Sequence, residues 1–382
     1  MIRKLLILKY LGVHGSLIDV LAKNFTEDEF IKLFNGETLE LQFKYNIFKD
    51  DELDIFSNSN IVSKAGKFAD NLIENSKKQN IHIISYYDEE YPTILKELDK
   101  RPLIIYAKGN IELLKASKLV ACVGTRDPSF LAVNSVKNLV EGLVENGTVI
   151  VSGLAKGIDT EAHKACLHHH GKTIAVLAHG LDTIYPSENK KLANEILDND
   201  GVLLSEYPLN TKITKRNFVA RNRIVSGMSQ GVIIFEAHEN SGTMHTARYA
   251  FTQGKKLFCP LFTDGDKKNL SSGVLNLVES NSAYLVKDSF EIINILNAKN
   301  RNQVKEHTIN NQEIMNSMKS KEVIASDKNK KSLTQDISLE IDIELYDELK
   351  MLAHQKDINV NDLISFLITE YRERKEGEER DE

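Results

Sequence analysis

Two short apolar runs, 119–123 (LVACV) and 149–151 (VIV), each stop on a turn of small residues carrying a cation. The first turn is Gly124, Thr125 and Arg126; the second is Ser152, Gly153, Leu154, Ala155, Lys156 and Gly157. A helix-length span joins the two runs. An unbroken apolar strand that feeds a glycine turn and then a helix leaves backbone N–H groups unpaired at the helix start, where a phosphate is favoured. Two such turns on neighbouring parallel strands converge on one crevice at the carboxyl end of a sheet. A chain with this stretch is built around an α/β sheet, and its crevice suits a phosphate-bearing ligand.

The same alternation extends outward. Further strand-like runs lie at Ile81–Ser85, 102–106, Thr173–Leu177, 202–204, 231–235 and 256–259, most of them separated by helix-length stretches. Unbroken apolar strands alternating with helices predict an extended Rossmann-like parallel sheet with helices on both faces, over residues 79–295. Ahead of it, Leu5, Leu6, Leu8, Leu11, Ile18, Leu21, Phe30 and Leu33 recur at helical spacing, predicting a small N-terminal helical domain over 1–78. Its segment 10–15 (YLGVHG) fits the glycine turn of a helix-hairpin-helix (SAM-like) unit, or part of a helical cap packed on the next domain.

After the sheet, residues 296–335 are poor in large apolar groups and read as a flexible linker. Within 336–376, Ile337, Leu339, Ile341 and Ile343 alternate as in a strand, and two amphipathic helices follow. This strand-helix-helix unit resembles a ribbon-helix-helix, and about 40 residues cannot bury a core alone. It therefore reads as a dimerisation unit, with a helical hairpin docked on the main domain as the other possibility. Glu340 and Asp342 on the strand argue against DNA readout there. The expected assembly is a homodimer or higher oligomer, with an acidic tail at 377–382.

The ligand question brings in charge. The chain's 49 Lys and Arg stand against 55 Asp and Glu, a net charge of −6. From Asp336 onward 6 stand against 15, so the preceding residues hold 43 against 40, or +3. A mildly basic body with an acidic tail is compatible with a local basic groove. No apolar run approaches the roughly 18–20 residues of a membrane helix. The opening MIRKLLILKYLGVHG lacks a small-residue cleavage site, so no signal peptide is expected. Cys122, Cys166 and Cys259 are odd in number and far apart, as for free thiols in a reducing cytoplasm.

Arg126, Lys156, Arg221, Asn222 and Arg223 are the polar groups expected to share the crevice. The last three close a basic run with Lys212, Lys215, Arg216, Asn217 and Phe218. Arginine grips phosphate through its planar fork and lysine acts as a point charge. Phe218 and Tyr207 could stack on bases. Alternatively, Arg221 and Arg223 pair with Glu206 or Glu236 as structural salt bridges. Ser241, Gly242 and Thr243 form a third candidate anion cradle at a helix start. Asp159 and His163, four apart, have an acid–base or metal spacing but no third ligand. The alternative has Asp159 orienting the cradle and His163 packing beneath it. Asp182, Tyr185, Pro186 and Asn189 read as loop scaffolding near the crevice. No Walker-type Gly-Lys-Ser/Thr or Gly-x-Ser-x-Gly elbow is present, and Lys156 breaks the dinucleotide fingerprint. No cofactor, metal or catalytic residue is expected.

Taken together, VACVGTR (120–126), VSGLAKGIDTEAH (151–163), TIAVLAHGLDTIYPSEN (173–189), LLSEYP (203–208), RNRIVSGMS (221–229) and EAHENSGTMHTARYAF (236–251) resemble the DNA-processing protein A (DprA/Smf) family. The resemblance spans about 80–290. It implies an extended Rossmann domain that binds single-stranded DNA in a basic pocket without base readout. It also implies help in loading a RecA-type recombinase during transformation. By the resemblance, Arg126, Lys156, Arg221 and Arg223 are pocket residues, with backbone at Ser152, Gly153 and 241–243. The family usually ends in a winged-helix-like domain, from which the strand-helix-helix ending departs. Two other readings stand beside it. One is a sensor binding a free nucleotide in the same crevice. The other is a phosphoribohydrolase, against which Thr246 stands where that enzyme's Glu is required.

Overall fold

A computed structural model describes residues 1–261 and 270–298, all within the first of two units into which the chain divides, Met1–Ala325 and Ser326–Glu382. The expected linker from 299 on, the strand-helix-helix unit at 336–376 and the acidic tail lie outside the described residues.

Six helices open the chain: α1 (Ile2–Tyr10), α2 (Gly15–Asn24), α3 (Glu27–Phe34), α4 (Thr38–Tyr45), α5 (Asp50–Ser57) and α6 (Ser59–Lys78). Local signals set their ends. Thr26 and Glu29 form a reciprocal capping box at α3, and Asn58 caps α6 by accepting from Ile61 N–H. Between α1 and α2, Gly12 takes a left-handed φ of 75°, and the amides of Gly12 and Val13 bond back to the carbonyls of Lys9 and Leu8. Those donors close α1 rather than facing outward. The buried side of these helices, including Leu5, Leu8, Leu21, Phe30 and Phe56, belongs to one continuous apolar cluster with Tyr106, Leu177 and Leu203 of the sheet. The helices thus form a cap whose core is shared with the sheet.

The rest alternates strand and helix: β1 (Ile81–Ser85), α7 (Thr93–Lys96), β2 (Ile104–Gly109), β3 (Leu119–Val123), α8 (Phe130–Glu145), β4 (Val149–Ser152) and α9 (Ile158–His168). There follow β5 (Thr173–Leu177), α10 (Lys190–Asp198), β6 (Val202–Ser205), α11 (Lys215–Gly227), β7 (Gly231–Ile234), α12 (Gly242–Thr252), β8 (Lys256–Pro260), α13 (Ser272–Glu279), β9 (Tyr284–Val286) and α14 (Ser289–Asn297). They form one nine-stranded sheet in the order β1-β2-β6-β5-β4-β3-β7-β8-β9. Alternate residues of β2, β5 and β6 divide between two buried clusters, one on each face: Ile105, Ile174 and Val176 on one, Tyr106, Ala175 and Leu177 on the other. Burial on both faces is why these strands read as unbroken apolar runs. Cys122, Cys166 and Cys259 are buried free thiols. Among the described residues no helix is long and apolar enough to cross a membrane.

The expectation of a wholly parallel sheet is corrected at one edge. Strands β3 to β9 pair in parallel, but β1 with β2, and β2 with β6, are antiparallel. Parallel neighbours need a crossover, usually a helix of some length. Only the four-residue α7 lies between β1 and β2, and only a short 3-10 turn at Ile111–Lys115 between β2 and β3. The chain order then reverses at β3: β4, β5 and β6 run to one side of it, β7, β8 and β9 to the other. A crevice opens at such a switch point, beyond the carboxyl ends of the strands.

Because cap and sheet share a core, Leu8→Ala should cost about 2–5 kcal/mol. In urea denaturation, far-UV circular dichroism and tyrosine fluorescence should shift together to a lower midpoint. A separate early transition of the helices alone would contradict a shared core.

Candidate functional site

At the end of β3 the chain turns tightly at Gly124. A Cβ there would lie 2.5 Å from Ile158 Cγ1, so the turn rests directly on the start of α9. Thr125 N–H donates to the Glu236 carbonyl (2.7 Å), and the Thr125 carbonyl accepts from Ile158 N–H (3.1 Å). Gly157, at φ 77°, lets α9 approach so closely that a Cβ would sit 2.3 Å from the Thr125 carbonyl. The Glu236 carboxylate accepts from Ser129 N–H (2.8 Å), fixing the start of α8. This clamping leaves the Arg126 side chain exposed at the lip of a cleft of about 520 Å³.

The cleft lies at the switch point, between the turn after β3, one side of α11 from Lys215 to Val225, and the first turn of α12. Of the residues expected at the crevice, Gly124, Thr125, Arg126, Arg221, Asn222, Ser241, Gly242 and Thr243 line it, and Asp159 joins them. Thr243 Oγ1 donates to the Gly124 carbonyl (2.9 Å), holding the start of α12 against the turn. Gly242 is exposed, with nothing within 4 Å of an added Cβ, and Ser241 Oγ is buried with no hydrogen-bond partner. The start of α12 therefore faces open space with its positive dipole end.

The cleft is also lined by Phe218, the stacking candidate, and by Lys215, Val219, Val225 and Thr246, which the sequence did not single out as crevice residues. Four of them, with Asn222, form an i, i+3, i+4, i+7, i+10 stripe on α11, so helical spacing alone could have found them. Lys215 is exposed, and the Arg126 guanidinium lies 5.9 Å from the half-buried Phe218 ring centroid. Tyr185 also packs against that ring, tilted by 57° with 5.6 Å between centroids.

Several expected members are placed elsewhere. Positions 221 and 223 lie about 200° apart around a helix, so both cannot face one cleft. Arg223 forks onto Glu206 (2.8 and 2.5 Å) and donates to the Lys100 carbonyl (3.1 Å), outside the cleft. Lys156 does not line the cleft and pairs with Glu188 at 2.5 Å. Ser152 is buried, its hydroxyl donating to the Cys122 carbonyl (2.7 Å). Tyr207, the second stacking candidate, does not line the cleft, and burial pushes its phenol up to about 12.

The turn after β4 is also changed in meaning. Leu154 adopts a left-handed φ of 56°, so the N–H groups around it curl into a concavity of the kind that holds anions. That concavity is filled from within: Asp159 accepts from Gly153 N–H (3.0 Å) and Ala155 N–H (3.4 Å). Asp159 is buried, and burial pushes its carboxyl up while nearby Arg221 and the two amides pull it down. Arg221 is only 4% exposed. Its Nη1 donates to the carbonyls of Gly153 (2.6 Å) and Val176, and its Nε is unpartnered. It forms the cleft's positive floor rather than a mobile arm.

His163 shares no site with Asp159. Its Nδ1 meets Thr173 Oγ1 at 2.7 Å, and burial, with Arg221 adding to it, lowers its pKa to about 3. Among the described residues no group of three or more His, Cys, Asp or Glu is placed to hold a metal ion.

Residues 82–297 match the family model described as DNA recombination-mediator protein A. The DNA processing protein DprA of Streptococcus pneumoniae is 46% identical over 180 residues, covering 47% of this chain and 63% of the relative. The Bacillus subtilis protein of the same name is 41% identical over 182 residues, 48% of this chain and 61% of the relative. The chain thus spans under two thirds of the length of these curated relatives. An X-ray structure of the Streptococcus pneumoniae protein superposes with a TM-score of 0.55 at 35% identity, covering 70% of this chain and 97% of that one. DNA processing protein A from Helicobacter pylori, solved for its single-stranded DNA binding mode, superposes at 0.51 and 34%, covering 56% and 95%.

A histidine kept neutral by burial stabilises the fold fully above its unfolded pKa of about 6.5, and that contribution is lost as pH falls through 6.5 toward 3. By pH 5 the loss should be about 2 kcal/mol. Urea titrations of the native protein and His163→Gln should converge as the pH is lowered. Parallel pH profiles would contradict the burial account.

Proposed function

The chain belongs to the DNA recombination-mediator protein A family, and from that premise we propose that its cleft holds the phosphodiester backbone of single-stranded DNA without reading base sequence. The observation that carries this reading is the composition of the cleft mouth. Two exposed cations, Arg126 and Lys215, flank the half-buried Phe218 and the open start of α12, in front of the buried Arg221. Backbone cations plus an aromatic ring are the usual means of holding a single strand, since every base has a face to stack. Arg126 and Phe218 lie within cation–π range of each other, so the charge and the ring are held as one unit. The Helicobacter pylori relative, studied for its single-stranded DNA binding, supports the choice of ligand.

Binding rather than turnover is the reading we adopt. Thr246, buried in the cleft wall, occupies the position where the phosphoribohydrolase reading requires a Glu, and supplies no acid for sugar–base cleavage. By the family reading, the DNA so held is passed to a RecA-type recombinase in the cytoplasm, by a homodimer or higher oligomer.

Fluorescence anisotropy with labelled strands of increasing length, at two salt concentrations, tests the ligand. Affinity should rise with length and fall with salt. Arg126→Ala and Lys215→Ala should each weaken binding to every base sequence alike and reduce the salt slope by about 0.7–1. Undiminished binding by both variants would remove the cleft from the account. Tight binding of AMP with no gain from length would point to a nucleotide sensor instead.

A further inference from the structure

The concavity after β4 is filled by a residue of the chain itself. In sheets that bind free nucleotides, a phosphate rests on the backbone N–H groups of a glycine turn at the switch point. Here the turn exists: Gly153, the left-handed Leu154 and Ala155 form the concavity, and Asp159 Oδ2 takes the N–H groups of Gly153 and Ala155. Asp159 also lines the cleft, so its carboxyl group stands where a ligand's phosphate would enter. We propose that Asp159 is a specificity-determining plug, which closes the inner phosphate site and confines ligand phosphates to the outer cleft of Arg126, Lys215 and the start of α12.

Three features carry this. The carboxyl oxygen spends the amide donors in either protonation state. Gly153 is held in place, because its carbonyl accepts from Arg221 Nη1 (2.6 Å) and the guanidinium packs so closely that an added Cβ would meet it at 2.2 Å. On its other side, Leu154 is fully buried, and its carbonyl is held by Asn189 Nδ2 (2.9 Å). The consequence is selective. A mononucleotide depends on one phosphate being held firmly, whereas a strand gathers several weaker contacts along its length. Filling the inner site therefore penalises the former far more. The inference rests on the single-strand reading for its biological meaning, though the plug itself is a property of the chain.

Isothermal titration of the full chain with AMP and with inorganic pyrophosphate tests it, beside anisotropy with a thymidine oligonucleotide. Asp159→Ala should open the site and raise AMP and pyrophosphate affinity roughly ten- to hundred-fold, the worth of one charge-assisted amide bond. Asp159→Asn, which keeps an acceptor oxygen at the same place, should stay close to native; a merely structural role would not separate the two. Equal AMP affinity in Asp159→Ala and native protein overturns the plug. Should Asp159→Ala fail to fold, amide spectra of the native protein decide: AMP should leave Gly153 and Ala155 unmoved, and shifts there overturn the proposal. If the oligonucleotide binds and Asp159→Ala gains nothing, only the plug falls. If Asp159→Ala gains AMP while the native chain binds no oligonucleotide, the plug stands and the single-strand reading falls.

Discussion

The buried guanidinium of Arg221 holds the carboxyl end of the sheet together. A charge taken out of water costs several kcal/mol unless its donors are used and its charge is opposed. Here Nη1 bonds the carbonyls of Gly153 and Val176, beyond β4 and at β5, and Asp159 supplies the opposing charge. This one side chain pins α11 across two strand ends. Once α11 is pinned, its exposed stripe places Lys215, Phe218 and Asn222 along the cleft wall. Gly153 is required for the same reason, since no side chain fits between it and the guanidinium.

Around that floor the cations are sorted. Lys156 is paired with Glu188 and Arg223 with Glu206, and both lie outside the cleft. Arg126 and Lys215 line the cleft, and neither is paired with a carboxylate among the described residues. A chain of net charge −6 can still present a positive mouth, because the field a ligand meets is set by the unpaired cations within a Debye length of about 8–10 Å. Asp159 sets the inner limit of that mouth and the start of α12 its outer edge.

Much of this was legible in the sequence, for identifiable reasons. The strands stood out because burial on both faces demands unbroken apolar runs, and the two turns stood out because close approach of α9 demands Gly124 and Gly157. The antiparallel edge was hidden, since strand direction follows from connection geometry and the runs at 81–85 and 102–106 look like any buried strand. Donor occupancy was hidden too: that Asp159 satisfies Gly153 and Ala155 depends on a turn through a left-handed Leu154, a conformation that leucine rarely adopts. Arg221 and Arg223 look alike in a string, yet helical geometry sends them to opposite sides. Lys215 and Phe218 were visible within the basic run. What separated them from Arg216 was phase along α11, and from Lys212 the helix start at Lys215, which leaves Lys212 ahead of the helix.

The central claim is that a strand lies across the mouth formed by Arg126, Lys215 and Phe218. Photocrosslinking with a thymidine oligomer carrying 5-iodouracil, followed by peptide mass spectrometry, addresses it directly, because that base crosslinks to an aromatic ring on which it stacks. The account predicts a dominant crosslink at Phe218 that high salt suppresses. Crosslinks confined to the Lys156–Glu188 pair or the Arg223–Glu206 face, with none at Phe218, would contradict it.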